Sequence, residues 1–272
     1  MIGIFDSGVG GLTVLRDIHK ALPEYSTIYL GDNARSPYGT KTHEQLTEFT
    51  WEGVRWLFAQ GCPLVILACN SASAQALRTI QQTKLDPDSK QHVLGVLSPT
   101  VEYLAEQGYQ HIGILATAAT VNSEAYVREL QKFDPNLKIT QQACPTWVEI
   151  VEAGQAQAPE TQLQVQTDVQ RLLNQAQDLD AVLLGCTHYP VLFDQVRQIL
   201  PQNIELYNQG PIVAEKLIDY LKRHPEIDQQ IEKKSVHQYF TTGDPINAQK
   251  AARQIAGLDP DFNQVDLSVI LG

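Results

Sequence analysis

Short apolar runs alternate along the chain with longer segments in which apolar residues recur at helical spacing. In the segment 43–61, for example, Leu46, Phe49, Val54 and Leu57 recur at roughly the spacing of one helix face. Runs that are apolar throughout and lie between helices are typical of parallel strands buried on both faces. The pattern therefore predicts an α/β fold with mainly parallel sheets.

The predicted elements cover most of the chain. Predicted strands are 2–5, 27–30, 64–67, 92–97, 111–115, 138–143, 181–184, 204–207 and 237–244. Predicted helices are 10–22, 43–61, 124–133, 159–177, 192–200, 211–222 and 245–257.

The chain also resembles itself in two places. IGIFDSGVGG at 2–11 is echoed by IGILATAATV at 112–121, a shift of 110 (112 − 2), and LVILACNSAS at 64–73 by AVLLGCTHYP at 181–190, a shift of 117. Two similar shifts in the same order predict two pseudo-symmetric, doubly wound domains. We expect one domain to comprise residues 1–96 plus 208–272, with the C-terminal segment packing back on it, and the other to comprise 97–207.

Composition and charge narrow the class of protein. The 272 residues carry a net charge of −11, which argues against nucleic acid or an anionic membrane as partner. No apolar stretch approaches the ~18 residues of a membrane span, and no secretory signal begins the chain. We therefore expect a cytoplasmic protein. Its four scattered cysteines suggest neither a disulfide framework nor a zinc ribbon.

Two of those cysteines end buried strands. Cys69 and Cys186 occupy matching places in the repeat, where ligands gather in parallel α/β sheets. Asn70 and Ser71 follow the first and Thr187 the second, and all three are helix-capping types. A helix dipole there would lower the pKa of a thiol. The alternative is that both cysteines are inert side chains packed in the core, but their matched positions in the repeat favour a catalytic role.

Other predicted strand ends carry polar groups as well. DSGVGG at 6–11 opens a predicted helix, so its N–H groups suit an anion, although it has neither dinucleotide-binding nor Walker spacing. GDNARSPYG follows at 31–39, Thr117 and Thr120 follow the strand 111–115, and His188 lies two residues after Cys186.

Paired thiols without a cofactor motif indicate proton transfer on a small acid. If the two halves face each other, one thiolate can remove a Cα proton while the opposite thiol delivers one to the other face. A gap of about ten pKa units between thiol and Cα acid corresponds to roughly 14 kcal/mol. Hydrogen-bond donors aimed at the substrate carboxylate must reduce this gap.

At these residues the sequence closely resembles the glutamate racemases, cofactor-independent members of the aspartate/glutamate racemase superfamily. The matching stretches run in family order over almost the whole chain: GIFDSGVGGLTVL (3–15), GDNARSPYGTK (31–41), ACNSAS (68–73), GILATAATVNSEAY (113–126), ACPTWVEIVEAG (143–154), GCTHYPVL (185–192) and FTTGDP (240–245). The resemblance implies two α/β domains with the active site in the cleft between them. It also implies a homodimer without cofactor or metal, acting on L- and D-glutamate and supplying D-glutamate for peptidoglycan.

The resemblance assigns roles to individual residues. Cys69 would deprotonate the D-isomer and Cys186 the L-isomer, with Asp6, His188 and Glu152 supporting the thiols. The positions that match substrate contacts are Asp6, Ser7, Tyr38, Gly39, Asn70, Ser71, Thr117, Thr120, Thr187 and His188.

The sequence departs from the family pattern at two positions. Ser71 replaces a usual threonine and keeps the hydroxyl, and Glu149 replaces a common proline, which could alter its loop. Relatives activated by a cell-wall precursor carry an N-terminal extension that is not seen here, so we expect no such activation.

Four alternatives remain open. The same chemistry on aspartate is the nearest. A zinc hydrolase would use Cys69, Cys186 and His188 with Cys144 as ligands. A pyridoxal enzyme would need a Schiff-base lysine, for which Lys41 is the candidate. An amino-acid sensor would use the anion-binding turns but would not need paired thiols.

Overall fold

The computed structural model describes residues 1–86 and 89–268 and contains two parallel sheets. The strands are β1 (Ile2–Asp6), β2 (Thr27–Gly31), β3 (Leu64–Leu67), β4 (His92–Gly95), β5 (His111–Ala116), β6 (Lys138–Ala143), β7 (Ala181–Leu184), β8 (Glu205–Asn208), β9 (His237–Thr241) and β10 (Phe262–Gln264). The α-helices are α1 (Leu12–Ala21), α2 (His43–Ala59), α3 (Asn70–Gln75), α4 (Leu77–Thr79), α5 (Leu97–Glu106), α6 (Ala118–Asn122), α7 (Ala125–Leu130), α8 (Trp147–Glu152), α9 (Pro159–Gln175), α10 (Phe193–Ile199), α11 (Gln209–Arg223), α12 (Pro225–Asp228) and α13 (Pro245–Ala256). The last four residues of the predicted segment 208–272 lie outside the described residues.

The two sheets share one strand order. The first runs β10-β9-β2-β1-β3-β4 and the second β6-β5-β7-β8, so that β1, β2, β3 and β4 correspond to β5, β6, β7 and β8. All pairings in both sheets are parallel. The two sequence repeats fall on β1 with β5 and on β3 with β7. The predicted pseudo-symmetric fold with parallel sheets is confirmed.

Alternating side chains of the strands pack against helices on opposite faces of the first sheet. On one face, Ile2 and Ile4 of β1 share a buried cluster with Leu15 of α1. On the other, Phe5 of β1 clusters with Leu57 of α2. Both faces of the central strand are therefore covered, which explains why its sequence is apolar throughout.

The C-terminal part of the chain extends the first sheet. Strand β9 pairs with β2, and β10 pairs with β9. Helix α11 lies so close to α1 that a Cβ at Gly210 would stand 2.2 Å from the Asp17 Oδ2 atom. A residue without a side chain at position 210 permits this close approach of the two helices.

Two predicted strands are too long, and one strand was not predicted. The strand predicted at 92–97 ends at Gly95, because α5 begins at Leu97. The strand predicted at 237–244 ends at Thr241, and Asp244 caps α13 by accepting a hydrogen bond from the Asn247 N–H at 2.8 Å. Strand β10 was not predicted, since it is a three-residue edge strand in which only Phe262 is buried. In the described part of the chain, no helix is long and apolar enough to cross a membrane.

Candidate active site

The first thiol lies where β3 meets α3. Cys69 precedes the first residue of α3, and only 6% of it is exposed. Burial, together with the nearby Asp6 carboxylate, raises the pKa of the Cys69 thiol to about 12, although hydrogen bonds from Ser7 and the Ala72 N–H oppose this increase. The expectation that a helix dipole would lower the pKa of this thiol was therefore wrong, because desolvation dominates.

Asp6 stands beside this thiol at the end of β1. Its carboxylate is fully buried, and its Oδ2 atom accepts a hydrogen bond from the Gly8 N–H at 3.0 Å. Burial raises the pKa of Asp6, opposed by the positive charge of His188 and by the N–H groups of Gly11 and Gly8. Among the described residues, Oδ1 has no hydrogen-bond partner, so this buried oxygen is available to a ligand N–H.

The second thiol has a histidine and a carboxylate as partners. The Sγ atom of Cys186 is 3.9 Å from Nδ1 of His188, and Nε2 of His188 is 3.0 Å from Oε1 of Glu152. Burial lowers the pKa of His188, but the interactions with Cys186 and Glu152 outweigh it and raise this pKa to about 10. A protonated His188 carries an N–H on each ring nitrogen and can donate to both partners at once.

The segment after Cys186 differs from the one after Cys69. Residues Tyr189–Leu192 form a 3₁₀-helix, and the α-helix α10 begins only at Phe193. Thr187 therefore does not cap an α-helix as its type suggested, and its backbone carbonyl instead accepts a hydrogen bond from the Thr13 hydroxyl at 2.9 Å. The positive charge beside the Cys186 thiol is that of protonated His188.

Contacts between the two halves close the space around the thiols. A Cβ at Gly10 would stand 2.4 Å from the His188 ring, so the DSGVGG turn lies directly against that ring. The hydroxyl of Ser71 is 3.3 Å from the hydroxyl of Thr117, which in turn donates to Thr120 at 3.1 Å. The structure thus brings these predicted residues together across the interface.

Two residues predicted to contact substrate, Tyr38 and Gly39, follow the loop after β2. The Tyr38 hydroxyl donates to Oδ2 of Asp32 at 2.5 Å, so it already has a partner. Gly39 faces Thr117, whose Cβ atom would be 3.6 Å from a Cβ at position 39. Asp32 was not among the predicted site residues. The sequence does carry a signal for it, since an acidic residue directly follows the buried strand β2.

A cleft of about 600 Å³ adjoins the closed site. Among the described residues it is lined by Gly39, Ala74 and Ala118 and by three cationic side chains, Lys41, Arg78 and Arg128, and by no acidic side chain. Contacts between α3 and α6 border the cleft, one of which is the hydrogen bond from Gln75 Nε2 to the Ala119 carbonyl at 3.2 Å. A chain of net charge −11 therefore presents a positive cleft beside the site.

The remaining cysteines are packed in the core. Cys62 and Cys144 are both buried, and burial raises the pKa of each, to about 11 for Cys62. Within residues 1–86 and 89–268 no three His, Cys, Asp or Glu side chains are grouped closely enough to hold a metal ion. The alternative zinc site made from Cys69, Cys186, His188 and Cys144 has no geometric support.

Fold and site together define a class of α/β protein in which two similarly ordered parallel sheets each present a buried thiol to a shared interface. Residues 2–216 match the family model described as Asp/Glu/Hydantoin racemase, and the chain belongs to that family.

Individual relatives agree with this assignment over nearly the full chain. A glutamate racemase from Paracoccus denitrificans is 39% identical, covering 93% of this chain and 95% of the relative. The crystal structure of a glutamate racemase isoform from Bacillus anthracis is similar with a TM-score of 0.88 and 31% identity, covering 98% of this chain and 97% of that one. A glutamate racemase from Francisella tularensis, solved in complex with D-glutamate, gives a TM-score of 0.87 at 26% identity and covers 98% of both chains.

Proposed function

We propose that this protein is a glutamate racemase, an isomerase that interconverts L- and D-glutamate by proton transfer at Cα between Cys69 and Cys186. The observation that carries the proposal is the pair of buried thiols at matching strand ends, each with its own acid–base partner. Relatives named as glutamate racemases, between 37% and 40% identical, support glutamate rather than aspartate as substrate.

The two thiols act on opposite faces of the substrate. Cys69 removes the Cα proton of D-glutamate and Cys186 removes that of L-glutamate, while the opposite thiol donates a proton to the face behind. Asp6 accompanies Cys69, and His188 with Glu152 accompanies Cys186. Each thiol acts as the base for one enantiomer and as the acid for the other. The site can therefore run the reaction in both directions.

The difference in pKa between a thiol and the Cα–H of glutamate must be reduced inside the closed site. Each pKa unit of mismatch costs about 1.4 kcal/mol, so hydrogen bonds must stabilise the negative charge that develops on the substrate carboxylate. The hydroxyls of Ser71, Thr117 and Thr120 form a connected group of donors suited to that charge. The free Oδ1 atom of Asp6 suits the substrate ammonium, and the resulting ion pair compensates the burial of both charges.

We assign the remaining substrate contacts to residues around this group. They are Ser7, Asn70, Thr187 and His188, together with the backbone of Tyr38 and Gly39, since the Tyr38 hydroxyl is bonded to Asp32. Neither a cofactor nor a metal is part of the proposed mechanism.

The cellular role follows from the proposed reaction. D-glutamate is a component of peptidoglycan, so the enzyme would act in the cytoplasm in cell-wall biogenesis and the maintenance of cell shape. We further propose that it is a homodimer, which light scattering of the purified protein tests. We also propose two domains, residues 1–96 plus 208–272 and residues 97–207, a division supported by the membership of the two sheets.

The decisive experiment follows the Cα proton of L-glutamate by NMR in deuterated water together with optical rotation. We expect wild-type protein to exchange the proton while the rotation decays to zero. Cys69→Ala and Cys186→Ala should each lower the racemisation rate by at least about 10³-fold, since each removes one of the two proton carriers. The same assay on aspartate measures substrate preference.

Two other cysteines provide matched controls. Cys62→Ala and Cys144→Ala also remove buried thiols, but neither side chain belongs to the proposed site, so both variants should racemise glutamate within a few-fold of wild type. Exchange on aspartate alone would keep the mechanism and change the substrate. Absence of exchange on both acids would overturn the proposal.

A further inference from the structure

A closed ring of buried amides and hydroxyls lies next to Cys69. Asn70, the residue after that thiol, donates from Nδ2 to Oε1 of Gln209 at 2.5 Å. Gln209 donates from Nε2 to the Tyr126 hydroxyl at 2.8 Å, and this hydroxyl donates back to Oδ1 of Asn70 at 2.8 Å. All three side chains are at least 97% buried.

The direction of every hydrogen bond in this ring is fixed from outside it. The Thr100 hydroxyl donates its one proton to the Val96 carbonyl at 2.7 Å, so it can only accept from Gln209 Nε2, which lies 3.1 Å away. This places Nε2 of Gln209 toward Thr100 and therefore Oε1 toward Asn70. The amide of Asn70 then has one allowed orientation, with Nδ2 toward Gln209 and Oδ1 toward Tyr126.

Gln209 also occupies a particular place in the chain. It is the first residue of α11, where the chain leaves the second sheet after β8 and returns to pack against α1. Its partners Val96 and Thr100 lie where the chain passes from β4 into α5, on its way to the second sheet. The Gln209 side chain therefore contacts Asn70, which is beside Cys69, and lies where both chain segments that connect the two sheets pass.

We propose that Gln209 is a positioning residue that fixes the amide orientation of Asn70 and ties it to the closed arrangement of the two halves. This inference rests on the proposed function, in which Asn70 contacts glutamate. In the fixed orientation, Asn70 keeps one Nδ2 proton for a substrate carboxylate, because its other proton is given to Gln209. A flipped amide would present an oxygen to that carboxylate, which repels it.

A double-mutant cycle on racemisation tests whether Gln209 acts through Asn70. Gln209→Met keeps the volume of the side chain and removes its hydrogen bonds. We expect it to lower kcat/KM about tenfold, mostly through a higher KM for both enantiomers. In the Asn70→Ala background the same substitution should change kcat/KM less than twofold. An equal loss in both backgrounds would mean that Gln209 has only a structural role, and would overturn the inference.

A second variant and a measurement without turnover extend the test. Thr100→Val removes the acceptor that fixes the Gln209 amide, together with the bond of this hydroxyl to the Val96 carbonyl, so it should raise KM by two- to threefold without lowering kcat. In the NMR spectrum of the free protein, the Asn70 side-chain amide protons should exchange with solvent at least tenfold faster in Gln209→Met. If wild type fails to racemise glutamate, the proposed function fails, while unchanged amide exchange would by itself overturn the positioning role.

Discussion

At the residue scale, the protonation of His188 couples the site to stability. Its pKa rises from 6.5 to about 10 on folding, so the folded protein holds one more proton than the unfolded chain between these values. The stabilisation is complete below pH 6.5 and is lost as the pH rises toward 10. We predict that the free energy of unfolding falls by up to about 1.4 kcal/mol for each pH unit in this window.

Urea unfolding at several pH values between 6.5 and 7.5 measures this slope. Up to pH 7.5 no more than about a tenth of each unfolded thiol is ionised, since its pKa is about 8.5, so the buried thiols contribute less to the slope than His188 does. His188→Asn removes the titrating group and should flatten the curve. An identical slope in the variant would show that His188 is not protonated in the folded protein.

Asp32 presents a second prediction at this scale. Its buried carboxylate accepts hydrogen bonds from Tyr38 and from the Arg35 Nε atom at 2.7 Å on Oδ2, and from Thr242 at 2.7 Å on Oδ1. We predict that Asp32→Ala lowers the free energy of unfolding by about 3 kcal/mol, because it leaves buried donors and a partly buried cation without their acceptor. Thermal or urea unfolding measures the loss.

An exposed ion pair provides the control for Asp32. Glu129 pairs with Lys132 on the surface at 2.5 Å, and Glu129→Gln should leave stability nearly unchanged. Equal losses of stability in the two variants would contradict the structural role of Asp32, whose carboxylate holds the Tyr38 hydroxyl.

At the element scale, the sequence predicts the buried strands well and their ends poorly. Strands β3 and β7 have the predicted bounds because apolar residues fill them and nothing else, and β6 also has its predicted bounds although only Ile139 and Thr140 in it favour strands. The strand predicted at 92–97 was too long, since apolar residues continue from β4 into α5 and hydrophobicity alone does not mark the change. Periodicity is ambiguous at such a junction.

The same limit applies to the site. The thiols could be predicted because each sits in its own local motif at the end of an apolar run. The Asn70–Gln209 hydrogen bond could not, because it joins residues 139 positions apart, and no local pattern encodes that contact. The raised pKa of Cys69 was also missed, since burial in the closed interface outweighs the effect expected from its place before a helix.

The DSGVGG turn gives a prediction at this scale. A Cβ at Gly10 would approach the His188 ring to 2.4 Å, whereas a Cβ at Gly8 would meet its nearest atom, the Ser36 hydroxyl, at 3.3 Å. Gly10→Ala should therefore displace His188 and lower kcat for racemisation by tenfold or more. Gly8→Ala, in the same turn, should have a much smaller effect. Similar activity in the two variants would contradict the direct packing of the turn against His188.

At the scale of the whole molecule, charge is distributed unevenly. The chain carries a net charge of −11, yet the cleft beside the site is lined by Lys41, Arg78 and Arg128. Within the described ranges, none of the three has a carboxylate within 4.0 Å. A cleft of one sign attracts an oppositely charged small molecule from the surrounding solution.

The ionic strength dependence of kcat/KM tests this attraction. Glutamate carries a net charge of −1 at neutral pH, so removal of one cation at the cleft should slow its capture. We predict that Arg78→Gln lowers kcat/KM about threefold at an ionic strength of ~10 mM, where the Debye length is about 30 Å, and hardly at all near 1 M, where it is about 3 Å. The turnover number should not change.

Lys250→Gln removes an exposed charge from α13, away from the cleft, and should leave kcat/KM unaltered at both salt concentrations. A loss in Arg78→Gln that persists at 1 M would instead indicate a direct contact with the bound substrate, and the cleft would then be part of the binding site rather than its approach.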